Sequence, residues 1–139
     1  MNMRRVVLDT NILVSALLSP TGNPAKIYQL FFTGGLSLVF SADIFAEYHD
    51  VLLRPRLRIP RNDAEILLAA VLQHGEKITP TPSTDAMIDE DDRVFYDTAK
   101  SADACLITGN TKHYPQEPFV FTPTAFLDSR GMPFSQSHR

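Results

Sequence analysis

The chain of 139 residues contains a single cysteine, Cys105, so it cannot form an internal disulfide. Proteins with so little cysteine are typical of reducing compartments, and we expect a cytoplasmic protein. The chain also contains no apolar run long enough to span a membrane. Its first residues, Met1 to Arg5, lack the apolar segment of a signal peptide. The composition therefore excludes a disulfide-stabilised scaffold and predicts no membrane partner.

An excess of positive charge is also absent, since the formal net charge is −3 at pH 7. Nucleic-acid-binding domains are more often basic overall, so any such partner must be bound through a local feature of the surface. The acidic residues are concentrated instead of spread evenly. Six of them fall in one short region: Asp85, Asp89, Glu90, Asp91, Asp92 and Asp97.

The sequence has no pairing of histidine with cysteine at metal-ligand spacing, which argues against structural zinc. Hydrophobic residues make up 44% and charged residues 21%, an ordinary composition for a globular protein. At this length we expect one domain over residues 1–128, followed by a loose tail over residues 129–139. The body of the chain should therefore fold as one unit.

A short apolar segment near the start of the chain runs directly into polar residues. Val6 to Leu8 show no alternation, which is typical of a strand that is buried on both faces of a parallel sheet. Ligands of such sheets bind beyond the carboxyl ends of the strands, where Asp9 stands. Thr10 or Asn11 would cap the helix that follows. The alternative is that Asp9 is only a turn or capping acid.

Further apolar segments predict strands at Leu36 to Phe40, Ala104 to Ile107 and Phe119 to Phe121, and the polar segment Glu76 to Thr79 is a candidate for a short third strand. Predicted helices alternate with them, which indicates a three-layer α/β/α sandwich with a central parallel sheet. In a doubly wound sheet the first strand neighbours the strand after the topological reversal. Asp9 should therefore lie beside Thr108 and Asn110, which follow the fourth strand.

Two further acids should approach the same edge of the sheet. Glu47 lies early in the helix after the second strand, and Asp92 begins the helix before the fourth strand. Each acid also has a purely structural interpretation. Glu47 would be a solvated helix residue with Asp43 or Arg54 as its partner. Asp92 would be an acid that interacts favourably with the helix dipole. If both converge with Asp9, their carboxylates repel one another unless a cation compensates. Oxygen ligands of this kind select Mg²⁺ or Mn²⁺, and a hard ion in such a site suits phosphodiester hydrolysis.

Four segments of the chain resemble the PIN-domain ribonucleases, in particular the VapC-like branch of toxins from toxin–antitoxin pairs. They span Val6 to Leu17, Glu47 to Pro55, Asp89 to Phe95 and Leu106 to Pro115. The resemblance implies a PIN-like fold and a nuclease that cleaves single-stranded or structured RNA with Mg²⁺ or Mn²⁺. It also implies an antitoxin protein as partner.

Carried over by position, the catalytic and metal-binding acids of that family correspond to Asp9, Glu47 and Asp92, with Thr108 supporting the pocket. Thr10 and Asn11 would support it from the adjoining helix. The family often has a fourth acid where this chain has Asn110, which offers a carbonyl oxygen to the metal but no charge. This departure keeps open a second hypothesis, a non-catalytic PIN-like module that binds RNA or protein.

A loop rich in arginine and proline follows the third predicted helix. Prolines prevent a regular helix there, so the guanidinium groups should be displayed for contact with RNA phosphates. A solubilising surface loop is the alternative. The four candidates are Arg54, Arg56, Arg58 and Arg61.

The second and third predicted helices carry more large apolar residues than one helix face would bury. We therefore expect association through this apolar helix surface, either in a homo-oligomer such as a dimer or with an antitoxin segment laid across the acidic cleft. The residues concerned are Tyr28, Phe31, Phe32, Phe45 and Tyr48.

Overall fold

Five parallel strands form the central sheet of the protein in the computed structural model, which describes residues 4–129. The predicted tail over residues 129–139 therefore lies, apart from Ser129, outside the described residues. The strands are β1 (Arg5–Leu8), β2 (Ser37–Phe40), β3 (Glu76–Lys77), β4 (Cys105–Ile107) and β5 (Val120–Phe121). Every strand predicted from an apolar segment is present, and the structure trims each by one or two residues or, at β1, extends it by one.

The strand order is β3-β2-β1-β4-β5, which places β1 at the centre. The chain reverses direction across the sheet between β3 and β4, so β1 pairs with both β2 and β4. Leu8 lies opposite Ile107 in the β1–β4 register. The residues that follow these two strands therefore emerge side by side, as the sequence predicted.

Within residues 4–129, six helices connect or follow the strands and give the predicted three-layer α/β/α arrangement. They are α1 (Thr10–Leu18), α2 (Asn23–Phe32), α3 (Ala42–Leu52), α4 (Arg61–His74), α5 (Arg93–Ala102) and α6 (Pro123–Ser129). Short 3-10 turns occur at Pro55–Leu57, Glu90–Asp92 and Thr111–His113.

Two helix starts show where local capping rules held and where they failed. At α3 the Ile44 amide donates to Ser41 Oγ at 3.2 Å, the usual N-cap contact. At α1 the predicted cap by Thr10 or Asn11 is wrong, because the helix already begins at Thr10 and Asp9 precedes it without a side-chain cap bond. The Thr10 hydroxyl is used in a tertiary contact instead.

The core lies between the sheet and its helices, and Val6, Val7 and Leu8 are fully buried. The apolar surplus predicted for α2 and α3 is only partly available for association. Phe31 and Tyr48 belong to the core, whereas 56% of Phe32 is exposed. Among the described residues, no helix is both long and apolar enough to cross a membrane.

Candidate active site

Asp9 stands at the carboxyl end of the central strand, where its position is fixed by backbone and side-chain contacts. Its amide donates to the Ile107 carbonyl at 3.0 Å, which continues the β1–β4 pairing. The Thr108 hydroxyl donates to Asp9 Oδ2 at 2.8 Å, and the Tyr114 hydroxyl lies 3.2 Å from the same oxygen. No hydrogen bond within residues 4–129 engages Asp9 Oδ1, so this oxygen is available to a ligand.

Glu47 reaches the same edge of the sheet from α3. The Thr10 hydroxyl donates to Glu47 Oε2 at 2.6 Å, which links the start of α1 to the middle of α3. The next residue, Tyr48, is fully buried, and its hydroxyl donates to the Leu8 carbonyl at 2.6 Å. This bond satisfies a buried carbonyl at the end of β1 and holds α3 at a fixed distance from Asp9.

Asp92 is the last residue of the 3-10 turn that leads into α5. The turn is stabilised at its start because the Asp91 amide donates to Asp89 Oδ1 at 3.0 Å. Asp92 itself is half-buried, and His113 Nδ1 lies 3.6 Å from its Oδ2. This histidine attracts the carboxylate only when its ring is protonated.

These acids line one open cleft of about 600 Å³. Of the residues predicted for the site, the cleft is lined by Asp9, Thr10, Asn11, Glu47, Arg54, Asp92 and Asn110. Thr108 is fully buried and lies behind Asp9, where it also accepts from the Asn110 amide at 3.1 Å. The structure therefore brings together all seven residues predicted for the catalytic, metal-binding and supporting positions.

Fewer arginines of the arginine-rich loop line the cleft than the sequence predicted. Arg54 lines the cleft and pairs with Asp50 at 2.7 Å. Arg56, Arg58 and Arg61 are exposed but do not line the cleft, and Arg61 pairs with Glu65 on its own helix at 2.9 Å. Residues 55–57 form a 3-10 turn, and Arg58 after it has a left-handed backbone conformation, so the arginines do not follow one regular helix.

Negative charge accumulates in the cleft strongly enough to perturb its ionisable groups. Burial and the nearby Asp9 carboxylate raise the pKa of Asp92 to about 6. Burial likewise raises the pKa of Tyr114, with further contributions from Asp9 and Asp92. The pKa of buried Tyr48 is also raised, by desolvation and then by Asp9 and Glu47. Both phenols therefore remain protonated hydrogen-bond donors beneath the acids.

Sequence reasoning did not assign Tyr114, His113 and Asp50 to the site. His113 is the last residue of a 3-10 turn, and Tyr114 follows it. No periodic pattern in such a turn indicates which side chains face the cleft. Asp50 lies one helical turn after Glu47 on α3, and this i, i+3 spacing is the one signal that could have identified it. Asp89 and Asp91, which the sequence favours as solvated acids, also line the cleft.

The donors of the cleft suit a hard divalent cation, because carboxylate and amide oxygens are the ligands that Mg²⁺ and Mn²⁺ prefer. Within residues 4–129, however, no three Asp, Glu, His or Cys side chains are placed so that they could hold an ion as they stand. The chemistry of the donor set, carboxylate and amide oxygens in one cleft, fits a hard divalent cation.

The fold and the cleft together define an α/β/α protein with an acidic site at the carboxyl edge of a parallel sheet. The family model of the PIN domain matches residues 5–112, and the chain belongs to the PIN-domain family. Members of this family are generally nucleases. The match spans the first three of the four segments quoted from the sequence in full, and the fourth as far as Lys112.

Two individual proteins illustrate this relationship. The uncharacterized protein MJ1680 of Methanocaldococcus jannaschii is 36% identical over 109 residues, which cover 76% of this chain and 70% of the relative. A solved structure, VapBC2 from Rickettsia felis bound to a DNA fragment from their promoter, matches with a TM-score of 0.53. That match has 18% identity and covers 78% of this chain and 89% of the other, so it supports the fold alone.

Proposed function

We propose that the chain is a divalent-metal-dependent endoribonuclease that acts in the cytoplasm as the toxin of a toxin–antitoxin pair. The observation that carries this proposal is the convergence of Asp9, Glu47 and Asp92 in one cleft. The raised pKa of Asp92 supports it, because burial and then the neighbouring Asp9 carboxylate oppose ionisation of that carboxyl in the cleft. Membership of the PIN-domain family supports the nuclease assignment independently of these side chains.

Each residue has a distinct role in the proposed reaction. Asp9 and Asp92 would hold a Mg²⁺ or Mn²⁺ ion, and Asn110 would supply an uncharged oxygen. When bound, such an ion neutralises charge on the scissile phosphate and lowers the pKa of a coordinated water. Glu47, whose Oε2 is already held by Thr10, orients the attacking water or a second ion through its other oxygen. The water adds to phosphorus, one P–O ester bond breaks, and the leaving oxygen takes up a proton.

Arg54 is the arginine placed to contact the RNA backbone near the cleft. Its ion pair with Asp50 is exposed, so exchanging that carboxylate for a phosphate costs little. Arg56, Arg58 and Arg61 would act farther out, by steering the strand toward a cleft that is otherwise acidic. The affinity for RNA should therefore fall as the salt concentration rises.

Incubation of purified protein with single-stranded RNA oligonucleotides tests the proposal directly. We expect shorter products with Mn²⁺ or Mg²⁺, no products with EDTA, and recovery when divalent ion is restored in excess. Intact RNA in the presence of either ion, or cleavage that EDTA leaves unchanged, would contradict the metal-nuclease assignment. A hairpin RNA of the same composition shows whether structured RNA is also a substrate.

A non-catalytic PIN-like module that binds RNA or protein is the second candidate. It is favoured by Asn110, which leaves the cleft without a carboxylate at that position, and by the acidic net charge. This candidate predicts retention of RNA or of a protein partner without cleavage. The same incubation, analysed for both bound and shortened RNA, distinguishes the two.

We predict that Asn110→Asp tightens divalent-ion binding on the order of tenfold, because it adds a charged ligand of the same shape. Titration calorimetry with Mn²⁺ measures the change. The metal-free variant should also be less stable than the parent, since one more carboxylate joins those already in the cleft. Asn62→Asp is the matched control, because it makes the same change at an exposed position on α4. It should leave the affinity for Mn²⁺ unchanged. Equal Mn²⁺ affinity in parent and Asn110→Asp would remove Asn110 from the ligand set.

We further propose that an apolar surface between α1, α2 and α4 mediates association, either with a second copy or with an antitoxin. Leu17, Tyr28, Phe32 and Ile66 line a groove of about 200 Å³ there. Light scattering over a range of concentrations, and co-purification with the product of an adjacent gene, test the two partners. A protein that stays monomeric and does not bind the adjacent product would contradict this proposal.

A further inference from the structure

A second cavity of about 620 Å³ lies directly beside the acidic cleft. The 3-10 turn Thr111–His113 separates the two, because Asn110 and His113 line the cleft whereas Thr111 and Lys112 line the cavity. The opposite wall comes from β5 and the start of α6. The side chains used below are Lys112, Tyr114, Glu117 and Phe121.

Tyr114 connects the cavity to the proposed site of cleavage. It lines the cavity, and its hydroxyl lies 3.2 Å from Asp9 Oδ2. A ligand in the cavity would therefore contact a side chain that itself contacts Asp9. An RNA strand whose phosphate lies at Asp9 would place a neighbouring nucleotide at this position.

Glu117 lines the cavity, and its carboxylate is held in position by a hydrogen bond from a buried side chain. The hydroxyl of Tyr96, a fully buried residue, lies 2.6 Å from Glu117 Oε2 and 3.0 Å from Asp85 Oδ2. Asp85 has its own cation, since Lys100 Nζ donates to the same Oδ2 at 2.9 Å. The single phenolic proton is therefore free to serve Glu117, and burial, which raises the pKa of Tyr96, keeps that proton in place.

A carboxylate held in this way accepts hydrogen bonds and donates none. Adenine, cytosine and guanine each carry an exocyclic amino group that can donate to it, as carboxylates do for cytosine N4 in base recognition. Uracil carries no amino group, and its one N–H lies between two carbonyl oxygens that a carboxylate repels. Half-buried Phe121 and buried Tyr114 add apolar surface against which a base can pack.

Lys112 supplies positive charge at the rim of the cavity. It is exposed and lies two residues after Asn110, between the cavity and the cleft. An ammonium group there suits a backbone phosphate that enters or leaves the cavity. The cavity thus offers an acceptor for the base, apolar surface for its faces and a cation for its phosphate.

We propose that this cavity is a nucleobase subsite, in which Glu117 selects RNA with an amino-bearing base beside the scissile phosphate. The proposal rests on the nuclease function above and adds a substrate preference to it. Glu117 is a specificity residue in this arrangement and takes no part in the chemical step. Tyr96 acts through Glu117 by holding its carboxylate in position.

Cleavage of a set of oligonucleotides that differ at one position tests the subsite. Each carries A, C, G or U in turn in a constant sequence, and kcat/KM is measured at every site of cleavage. For the position next to the cleaved bond we expect the amino-bearing bases to be favoured over U about tenfold, within the range of a direct base contact. Glu117→Gln should reduce the preference to about twofold or less, because an amide both donates and accepts.

Glu76→Gln is the matched control, since it removes the same charge at an exposed position on β3 that lines neither the cavity nor the cleft. It should retain both the base preference of the parent and its rate on the best substrate of the parent set. Unchanged base preference in Glu117→Gln, or no preference against U in the parent, would overturn the subsite while leaving the nuclease assignment intact.

Binding provides a readout that does not depend on cleavage. Fluorescence anisotropy of the same labelled oligonucleotides is measured with Asp9→Asn and with the double variant Asp9→Asn/Glu117→Gln. A preference against U that disappears with Glu117→Gln supports the subsite even if the parent cleaves no RNA, in which case only the nuclease proposal fails. Equal binding of all four oligonucleotides by Asp9→Asn would overturn the subsite.

Discussion

Asp9→Asn should reduce RNA cleavage on the order of a hundredfold or more while the protein still folds. The substitution keeps the shape of the side chain and removes one charged ligand, and charge stabilisation by a bound metal contributes several kcal/mol to such reactions. The asparagine carbonyl can still accept from Thr108, so the end of β1 should keep its position. Cleavage rates at saturating Mn²⁺, together with circular dichroism, measure the two effects.

Asp128→Asn is the matched control, because it makes the same change at an exposed position on α6 outside the cleft. It should cleave RNA at the parent rate. If Asp9→Asn cleaved as fast as the control, the acid at the end of β1 would not be a metal ligand. The non-catalytic module would be the better assignment only if the parent and the control also left the RNA intact.

Asp92→Asn should have opposite effects on activity and on metal-free stability. Cleavage should fall as far as in Asp9→Asn, because the same ion loses a charged ligand. In EDTA at pH 7.5, however, the melting temperature should rise on the order of a few degrees. The reason is that the folded protein must ionise a carboxyl whose pKa is raised to about 6 by burial and by Asp9.

The pH dependence of this stabilisation follows from the direction of the shift. The pKa of Asp92 is higher in the folded chain than its usual value of 3.8, so ionisation opposes folding as the pH rises from about 3.8 to about 6. The gain from Asp92→Asn should be complete above pH 6 and absent below pH 3.8. The pKa of about 6 already includes the attraction of His113, which lies 3.6 Å from Asp92 and opposes the shift.

Melting curves in EDTA at pH 4 and pH 7.5 measure this difference, with Asp128→Asn again as the control. Saturating Mn²⁺ should reverse the order at pH 7.5, because the parent binds the ion more tightly and is stabilised by it. A gain of equal size at both pH values would show that repulsion between carboxylates does not limit the stability of this cleft.

The predicted site was most accurate where it depended on the sheet alone. The unbroken apolar run before Asp9 and the one before Thr108 both indicated buried parallel strands, and a parallel arrangement forces their ends to one edge. The 2.8 Å bond between these residues follows directly from the β1–β4 pairing. Only the capping prediction for Thr10 failed, because α1 begins at Thr10 itself and the Thr10 hydroxyl donates instead to Glu47, 37 positions later in the chain.

Residues in short turns could not be assigned in the same way. His113 and Tyr114 lie in or after a 3-10 turn of three residues, which has no repeat from which the direction of a side chain can be read. The same holds for the arginine loop, where prolines excluded an α-helix but left open where each guanidinium would point. Of the four arginines, Arg54 alone lines the cleft.

The sequence by itself determined the parallel sheet, the acids at its edge and the chemistry those acids favour, because buried runs and strand ends are local patterns with a period. Only the tertiary structure decided how the supporting groups meet: Tyr48 beneath the end of β1, Thr10 against Glu47, and Tyr96 behind Glu117. These contacts join residues 21 to 40 positions apart. Hydrogen bonds of this kind are directional and form only after the helices have packed, so no pattern along the chain predicts them.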